Sequence, residues 1–141
     1  AQLAEQVGSE LGKRDLVLVC GGLGGVMEAA CRGAKRAGGA TIGILPGSDP
    51  NTANPWVDIP ICTVISYARN IIVVKTGRAV IAVGGAYGTL SEIGHALSDG
   101  KPIFALNSWE ISKSGIQDPL LTHCKNETEA VEKALAAASA G

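Results

Sequence analysis

The residues best suited to chemistry lie in the segment Gly84-Gly85-Ala86-Tyr87-Gly88-Thr89-Leu90-Ser91-Glu92. It follows the apolar run Arg78-Ala79-Val80-Ile81-Ala82-Val83 and leads into Ile93-Gly94-His95-Ala96-Leu97, so it reads as a glycine turn between a strand and a helix. Backbone N–H groups at such a turn face open space at the positive end of the helix dipole, which suits a phosphate. Gly84, Gly85 and Gly88 let a ligand approach the backbone closely, Thr89 adds a hydroxyl donor, and Glu92 sets one carboxylate a turn further on. The spacing Thr89-x-x-Glu92 also matches a capping box, which fixes a helix start with no ligand at all. The two roles are compatible.

A second glycine turn, Gly21-Gly22-Leu23-Gly24-Gly25-Val26-Met27-Glu28, follows the apolar run Leu16 to Cys20. It departs from the dinucleotide pattern G-x-G-x-x-G because Met27 stands where the third glycine belongs. Gly100-Lys101 is no P-loop either, since His95 occupies the position of its first glycine. These departures argue against ordinary NAD binding and P-loop phosphoryl transfer, and a tight connection without ligand remains the alternative. Arg69-Asn70 sits within the mostly apolar segment Ser66 to Thr76. A guanidinium there must reach water, a partner or an anion, and its planar fork suits a phosphate.

His95 lies one turn after Glu92, so a metal half-site or an acid–base pair is conceivable on spacing. Without a second His or Cys cluster nearby, a structural histidine is the simpler reading, and no metal site is expected. Cys20, Cys31, Cys62 and Cys124 are widely spaced with no C-x-x-C pair, which points to reduced thiols used as small apolar residues. With no signal-peptide pattern before the first helix-like segment, the expectation is a cytoplasmic protein. Trp56, in a loop holding Pro50, Pro55 and Pro60, suits a lid or an oligomer contact.

The elements that must position these residues follow from composition and periodicity. The chain has 141 residues, 46% apolar and 18% charged, enough for one compact domain over 1–141. Aromatics are scarce, so Val, Ile, Leu and Ala must build the core, as in a parallel sheet covered by helices on both faces. A formal charge of −1 offers no electrostatic case for nucleic acid or a membrane surface. No apolar stretch approaches the roughly 20 residues of a membrane span.

Helices are expected over Ala1 to Gly12, Val26 to Ala37, Ser66 to Thr76 with Ser66 near its N-cap, Thr89 to Ser98, and Glu127 to Ala138. Strands are expected at Leu16 to Cys20, Ala40 to Leu45, Ile61 to Ile65, Arg78 to Val83 and Pro102 to Leu106. Such alternation argues for a single doubly wound parallel sheet, Rossmann-like, in three αβα layers, with ligands beyond the carboxyl ends of the strands. Both glycine turns would lie on that edge. Doubly wound folds ordinarily open with a strand while this chain opens in a helix, so the expectation is that the first strand is missing from this sequence.

Gly21 to Ala30, Ala68-Arg69-Asn70 and Gly84 to Glu92 together resemble the LOG-like branch of Rossmann proteins. This group is often labelled "lysine decarboxylase" and includes cytokinin-activating phosphoribohydrolases and molybdenum cofactor carrier proteins. The resemblance covers Ala1 to Leu106. It implies a phosphorylated small ligand lying across both glycine turns: a nucleotide, phosphate or molybdenum cofactor. Gly22, Gly24, Gly25, Met27, Asn70, Gly84, Gly85, Gly88 and Thr89 would bind it.

In the hydrolase members, the residues matching Arg69 and Glu92 are catalytic and split a nucleoside 5′-monophosphate into base and ribose 5-phosphate, with no cofactor required. Two departures from the hydrolase pattern, Val83 for its proline and Asn70 for its lysine, lean toward the carrier-like subgroup. The decarboxylase label finds no support, since nothing marks a lysine as a pyridoxal phosphate anchor. The resemblance also implies a homodimer or larger homo-oligomer, with the Ser66–Thr76 region at or near the contact.

Overall fold

The computed structural model describes residues 2–140. The chain divides into two compact units, the first ending at Thr76 and the second beginning at Gly77. Each holds a three-stranded parallel sheet together with α-helices.

The first unit runs α1 (Gln2–Lys13), β1 (Leu18–Cys20), α2 (Val26–Arg36), β2 (Thr41–Leu45), β3 (Ile59–Cys62) and α3 (Arg69–Thr76). Its sheet has the order β1-β2-β3, all parallel, with Val19 opposite Ile42 and Ile44 opposite Ile61. The central strand is the most buried: Thr41, Ile44 and Leu45 are sealed from solvent, as an apolar strand covered on both faces should be. Thr41 is tolerated there because its hydroxyl donates to the Trp56 carbonyl at 2.6 Å and accepts from the Asp58 N–H at 2.9 Å. Burial opposes ionisation of Asp58, but hydrogen bonds from Lys35 Nζ and the Thr41 N–H outweigh it and hold its carboxyl below the usual range.

Glycines set the packing of α1 on α2. A Cβ on Gly8 would lie 1.9 Å from the Ala30 carbonyl oxygen, and one on Gly33 would lie 2.0 Å from that of Glu5. The two backbones therefore touch, and no side chain larger than hydrogen fits at either crossing. Gly12 serves the same packing. The helix, expected to end at Gly12, runs one residue further; Gly12 is buried in its last turn, where a Cβ would come within 2.7 Å of the Ala34 carbonyl oxygen. Ala1, where the sequence reading started this helix, lies outside the described residues. Glu5 of α1 reaches both Arg32 and Arg36 of α2. Trp56, read as a lid or contact residue, packs under the Arg36 guanidinium at 5.6 Å.

The second unit runs β4 (Val80–Val83), α4 (Tyr87–Ser98), β5 (Ile103–Leu106), β6 (Ser112–Lys113), β7 (Ile116–Gln117), β8 (Leu121–His123) and α5 (Glu127–Ala140). Its parallel sheet has the order β4-β5-β8, with every residue of the central β5 buried. Ala130, Val131 and Ala134 form the buried face of α5. The β6–β7 hairpin turns through Ser114 and Gly115, both at positive φ, the geometry a tight hairpin requires. Neither this hairpin nor β8 was anticipated, because strands of two or three residues carry no periodic signal. The anticipated strand over Ile61 to Ile65 sits two residues earlier, at β3, since its last residues peel off to bond Leu45 to Gly47.

The Gly8/Gly33 crossing generates a direct test. Gly33→Ala should destabilise the protein by about 2 kcal/mol or more, the scale of overpacking against backbone. The control Gly38→Asn, at a residue with open space around it and φ 84, should cost much less. Thermal melts followed by circular dichroism would check this; equal losses would refute the backbone contact.

Candidate functional site

In the first unit, the glycine turn after β1 splits into two parts with different duties. Gly22, at φ 77, is wedged against Gly43 and Leu45, and its carbonyl accepts from the Asn54 N–H at 2.8 Å. The Asn54 side chain then donates to the Leu23 carbonyl at 2.9 Å. This buried asparagine pins the turn. It was not singled out from the sequence, and no local signal marks it. Gly24 and Gly25, by contrast, have no described residue within 4 Å of where a side chain would begin. Gly25 is the N-cap of α2 at φ 68, and no side chain among the described residues caps that helix. The leading N–H groups of α2 therefore stand ready for an anion.

Arg69 meets this turn. A Cβ on Gly21 would lie 2.7 Å from Arg69 Nη2 and 2.7 Å from Met27 Sδ, so the guanidinium and the thioether close over that residue. Gly21 was not among the anticipated site residues, yet it is the one whose missing side chain admits Arg69. The arginine is only 8% exposed and Asn70 5%. Arg69 Nη1 donates to Asn70 Oδ1, while Arg69 Nε has no hydrogen-bond partner among the described residues. A buried cationic donor left unpaired is costly unless something outside the chain satisfies it.

The approach to Arg69 is strained. Val64 and Ser66 stand at φ 60 and φ 55, and the left-handed region is a genuine outlier for a β-branched residue. Three bonds hold them there: Thr63 Oγ1 to the Leu45 carbonyl at 2.7 Å, Val64 N–H to Gly47 at 3.3 Å and Ser66 N–H to Pro46 at 3.0 Å. Such residues cost on the order of 1–3 kcal/mol each and persist where their surroundings over-determine them, often at functional sites. The anticipated Ser66–Thr76 helix is accordingly split. One 3-10 turn covers Ser66–Ala68 and α3 begins at Arg69, so Ser66 does not cap it.

In the second unit, Gly84 and Gly85 at φ 61 and φ 150 lead into α4. The helix starts at Tyr87, two residues before the expected Thr89, and its N-cap is Ala86. The capping-box reading therefore fails: Thr89 already lies inside the first turn. No side chain among the described residues caps α4, so its first N–H groups also stand uncommitted to a cap. Thr89 and Glu92 are half-buried on that helix, while Ile93 and Ala96 turn to the core. Gly85 sits under Trp109: a Cβ there would lie 2.9 Å from Trp109 Nε1 and 3.3 Å from Ser108 Oγ. The indole N–H donates to the Ala86 carbonyl at 3.1 Å, and Ser108 Oγ is buried with no partner among the described residues. No group of three or more His, Cys, Asp or Glu able to hold a metal occurs among the described residues.

The chain matches the profile of the SLOG cluster4 family over residues 1–139. It belongs to that family. Over 105 residues the SLOG chain is 46% identical to an uncharacterized protein of Archaeoglobus fulgidus, covering 74% of this chain and 69% of that one. It is 33% identical over 118 residues to a cytokinin riboside 5′-monophosphate phosphoribohydrolase of Mycobacterium tuberculosis, covering 77% of this chain and 63% of the relative.

Among solved structures it resembles the molybdenum cofactor binding protein of Rippkaea orientalis at TM-score 0.83 and 34% identity, covering 95% of this chain and 85% of that one. It also resembles the molybdenum cofactor carrier protein of Chlamydomonas reinhardtii at TM-score 0.80 and 31% identity, covering 95% and 86%. The fold is thus the Rossmann-like α/β fold that the alternation of strands and helices implied. Among the described residues, no helix is long and apolar enough to cross a membrane.

The unpaired guanidinium separates stability from binding. Arg69→Met, which keeps bulk and removes a buried charge, should leave the melting temperature unchanged or raise it. The same variant should lose any rise in melting temperature that AMP or inorganic phosphate gives the wild type. A large drop in stability with ligand response intact would show that Arg69 is structural.

Proposed function

We propose that this SLOG chain binds a phosphorylated small ligand and hydrolyses the N-glycosidic bond of a nucleoside 5′-monophosphate. The observation that carries the reading is the buried Arg69 guanidinium with an unpaired Nε beside Gly21. A buried charge placed at such cost, entered through two left-handed residues, supports an anionic ligand.

The roles are assigned unit by unit. Gly84, Gly85, Gly88 and Thr89 offer backbone and hydroxyl donors to a phosphate at the start of α4. Gly24, Gly25 and the start of α2, with Arg69, Asn70 and Met27, offer a second anion-favouring surface in the first unit. Glu92 is the carboxylate that stabilises positive charge growing at the anomeric carbon and orients the attacking water. Water adds to that carbon, the bond to the base nitrogen breaks, and the base departs with a proton, leaving ribose 5-phosphate. In the first unit, Arg69 offers its unpaired donor to an anionic ligand.

A second reading has its own support. Val83 and Asn70 depart from the hydrolase pattern, and the solved structures cited above are molybdenum cofactor binding and carrier proteins. On this reading the same donors hold molybdenum cofactor or a nucleotide as cargo, without turnover. For either reading we propose that 1–141 works as one domain in a cytoplasmic homo-oligomer. Ile59, Ile61, Ile65, Tyr67 and Ile71 leave a run of exposed apolar side chains for the contact. Sedimentation at micromolar concentration should show a dimer or larger; a monomer alone would remove that part.

Incubation of the chain with AMP and other nucleoside monophosphates, followed by chromatography, should yield free base. Glu92→Ala should slow release at least about 100-fold, within the range attributed to a positioned acid–base group. If no monophosphate releases base while ligand still binds tightly, the chain is a carrier. If Glu92→Ala keeps the wild-type rate, the catalytic carboxylate is misassigned.

A further inference from the structure

Tyr87 is the first residue of α4 and is 81% exposed, an unusual position for a large ring in a chain so poor in aromatics. The whole sequence holds two Trp, two Tyr and one Phe, and one Tyr and one Trp come together here. The Tyr87 and Trp109 ring centroids are 5.9 Å apart with their planes inclined by 30°. Trp109 is itself anchored, because its indole N–H donates to the Ala86 carbonyl at 3.1 Å and its ring lies against Gly85. Any side chain at Gly85 would displace that indole. An exposed tyrosine at a helix start ordinarily rotates freely among rotamers; this one has a fixed neighbour. The arrangement orders a ring that remains open to solvent, at some cost in entropy and with most of its apolar surface unburied.

We infer that Tyr87, braced by Trp109, is a stacking shelf for the planar heterocycle of the ligand whose phosphate sits at the start of α4. This rests on the phosphate reading above and adds the recognition of the other end of the molecule. The shelf stands beside the uncapped N–H groups of α4, so one ligand carrying both a phosphate and an aromatic ring engages both. Ring stacking tolerates any flat heterocycle, since each presents a π-face, so the shelf selects for aromatic character and not for one particular base. A phosphorylated sugar without a ring would use the donors alone. Trp109 acts through Tyr87 and is a positioning residue.

The test uses two ligands that the proposed chemistry does not consume. Formycin 5′-monophosphate carries a purine-like base on a carbon–carbon bond that water does not split, and ribose 5-phosphate lacks a base. Calorimetric titration would compare the full chain with Tyr87→Ala, Tyr87→Phe and Trp109→Leu. The shelf requires wild type to bind formycin monophosphate more tightly than ribose 5-phosphate. Tyr87→Ala should weaken formycin monophosphate about 10-fold or more, the scale of stacking one base on an aromatic side chain.

Tyr87→Phe should restore that affinity, and ribose 5-phosphate should stay within about twofold of wild type throughout. Trp109→Leu should produce part of the Tyr87→Ala loss. Equal affinity of wild type for the two ligands would overturn the shelf and leave the phosphate site standing. So would a Tyr87→Ala loss shared equally by both ligands, which would mean the turn itself had been disturbed. Binding of neither ligand to wild type would overturn both the phosphate reading and the shelf.

Discussion

A buried arginine with one donor left over governs the first unit. Arg69 is almost sealed from water; its Nη1 donates to the side chain of the residue that follows it, and its Nε has no partner among the described residues. Much around it follows from making room for that guanidinium. Gly21 must lack a side chain, Met27 supplies a polarizable neighbour, and the chain must enter α3 through two residues in the left-handed region. Each of these choices costs stability, and none is needed to close a βαβ unit. An external anion gives them a common reason.

Glycine is used in two opposite ways. At Gly8, Gly12 and Gly33 it lets helices meet backbone to backbone, so the missing side chain is filled by protein. At Gly24, Gly25 and Gly84 the missing side chain is filled by nothing among the described residues. The first kind makes a rigid platform of α1 and α2. The second leaves open the turns before α2 and α4, whose N-caps make no side-chain cap hydrogen bond. A count of glycines cannot tell the two apart, but their neighbours can.

The repeating strand–glycine–helix signals made the α/β fold readable, because buried parallel strands are continuous apolar runs and their ends are marked by glycine or proline. The two glycine turns and Arg69 were readable for the same reason: polar or flexible residues interrupting apolar runs stand out. What could not be read depends on distant partners. Asn54 pins Gly22 from 32 positions away, and Trp109 reaches Ala86 from 23 positions away, so neither shows in any local window. The Thr89-x-x-Glu92 spacing misled in the other direction. A valid local capping pattern lost to a helix that starts at Tyr87, where Trp109 braces the first turn.

Both functional readings, turnover and carriage, call on an anion to satisfy the leftover Arg69 donor. The Nε–H proton of Arg69 reports that event directly by nuclear magnetic resonance. On titration with inorganic phosphate and then AMP, its resonance should move downfield and its exchange with solvent should slow as a hydrogen bond forms. A resonance that stays fixed at saturating concentrations of both, while the protein remains folded, would contradict the account at its centre.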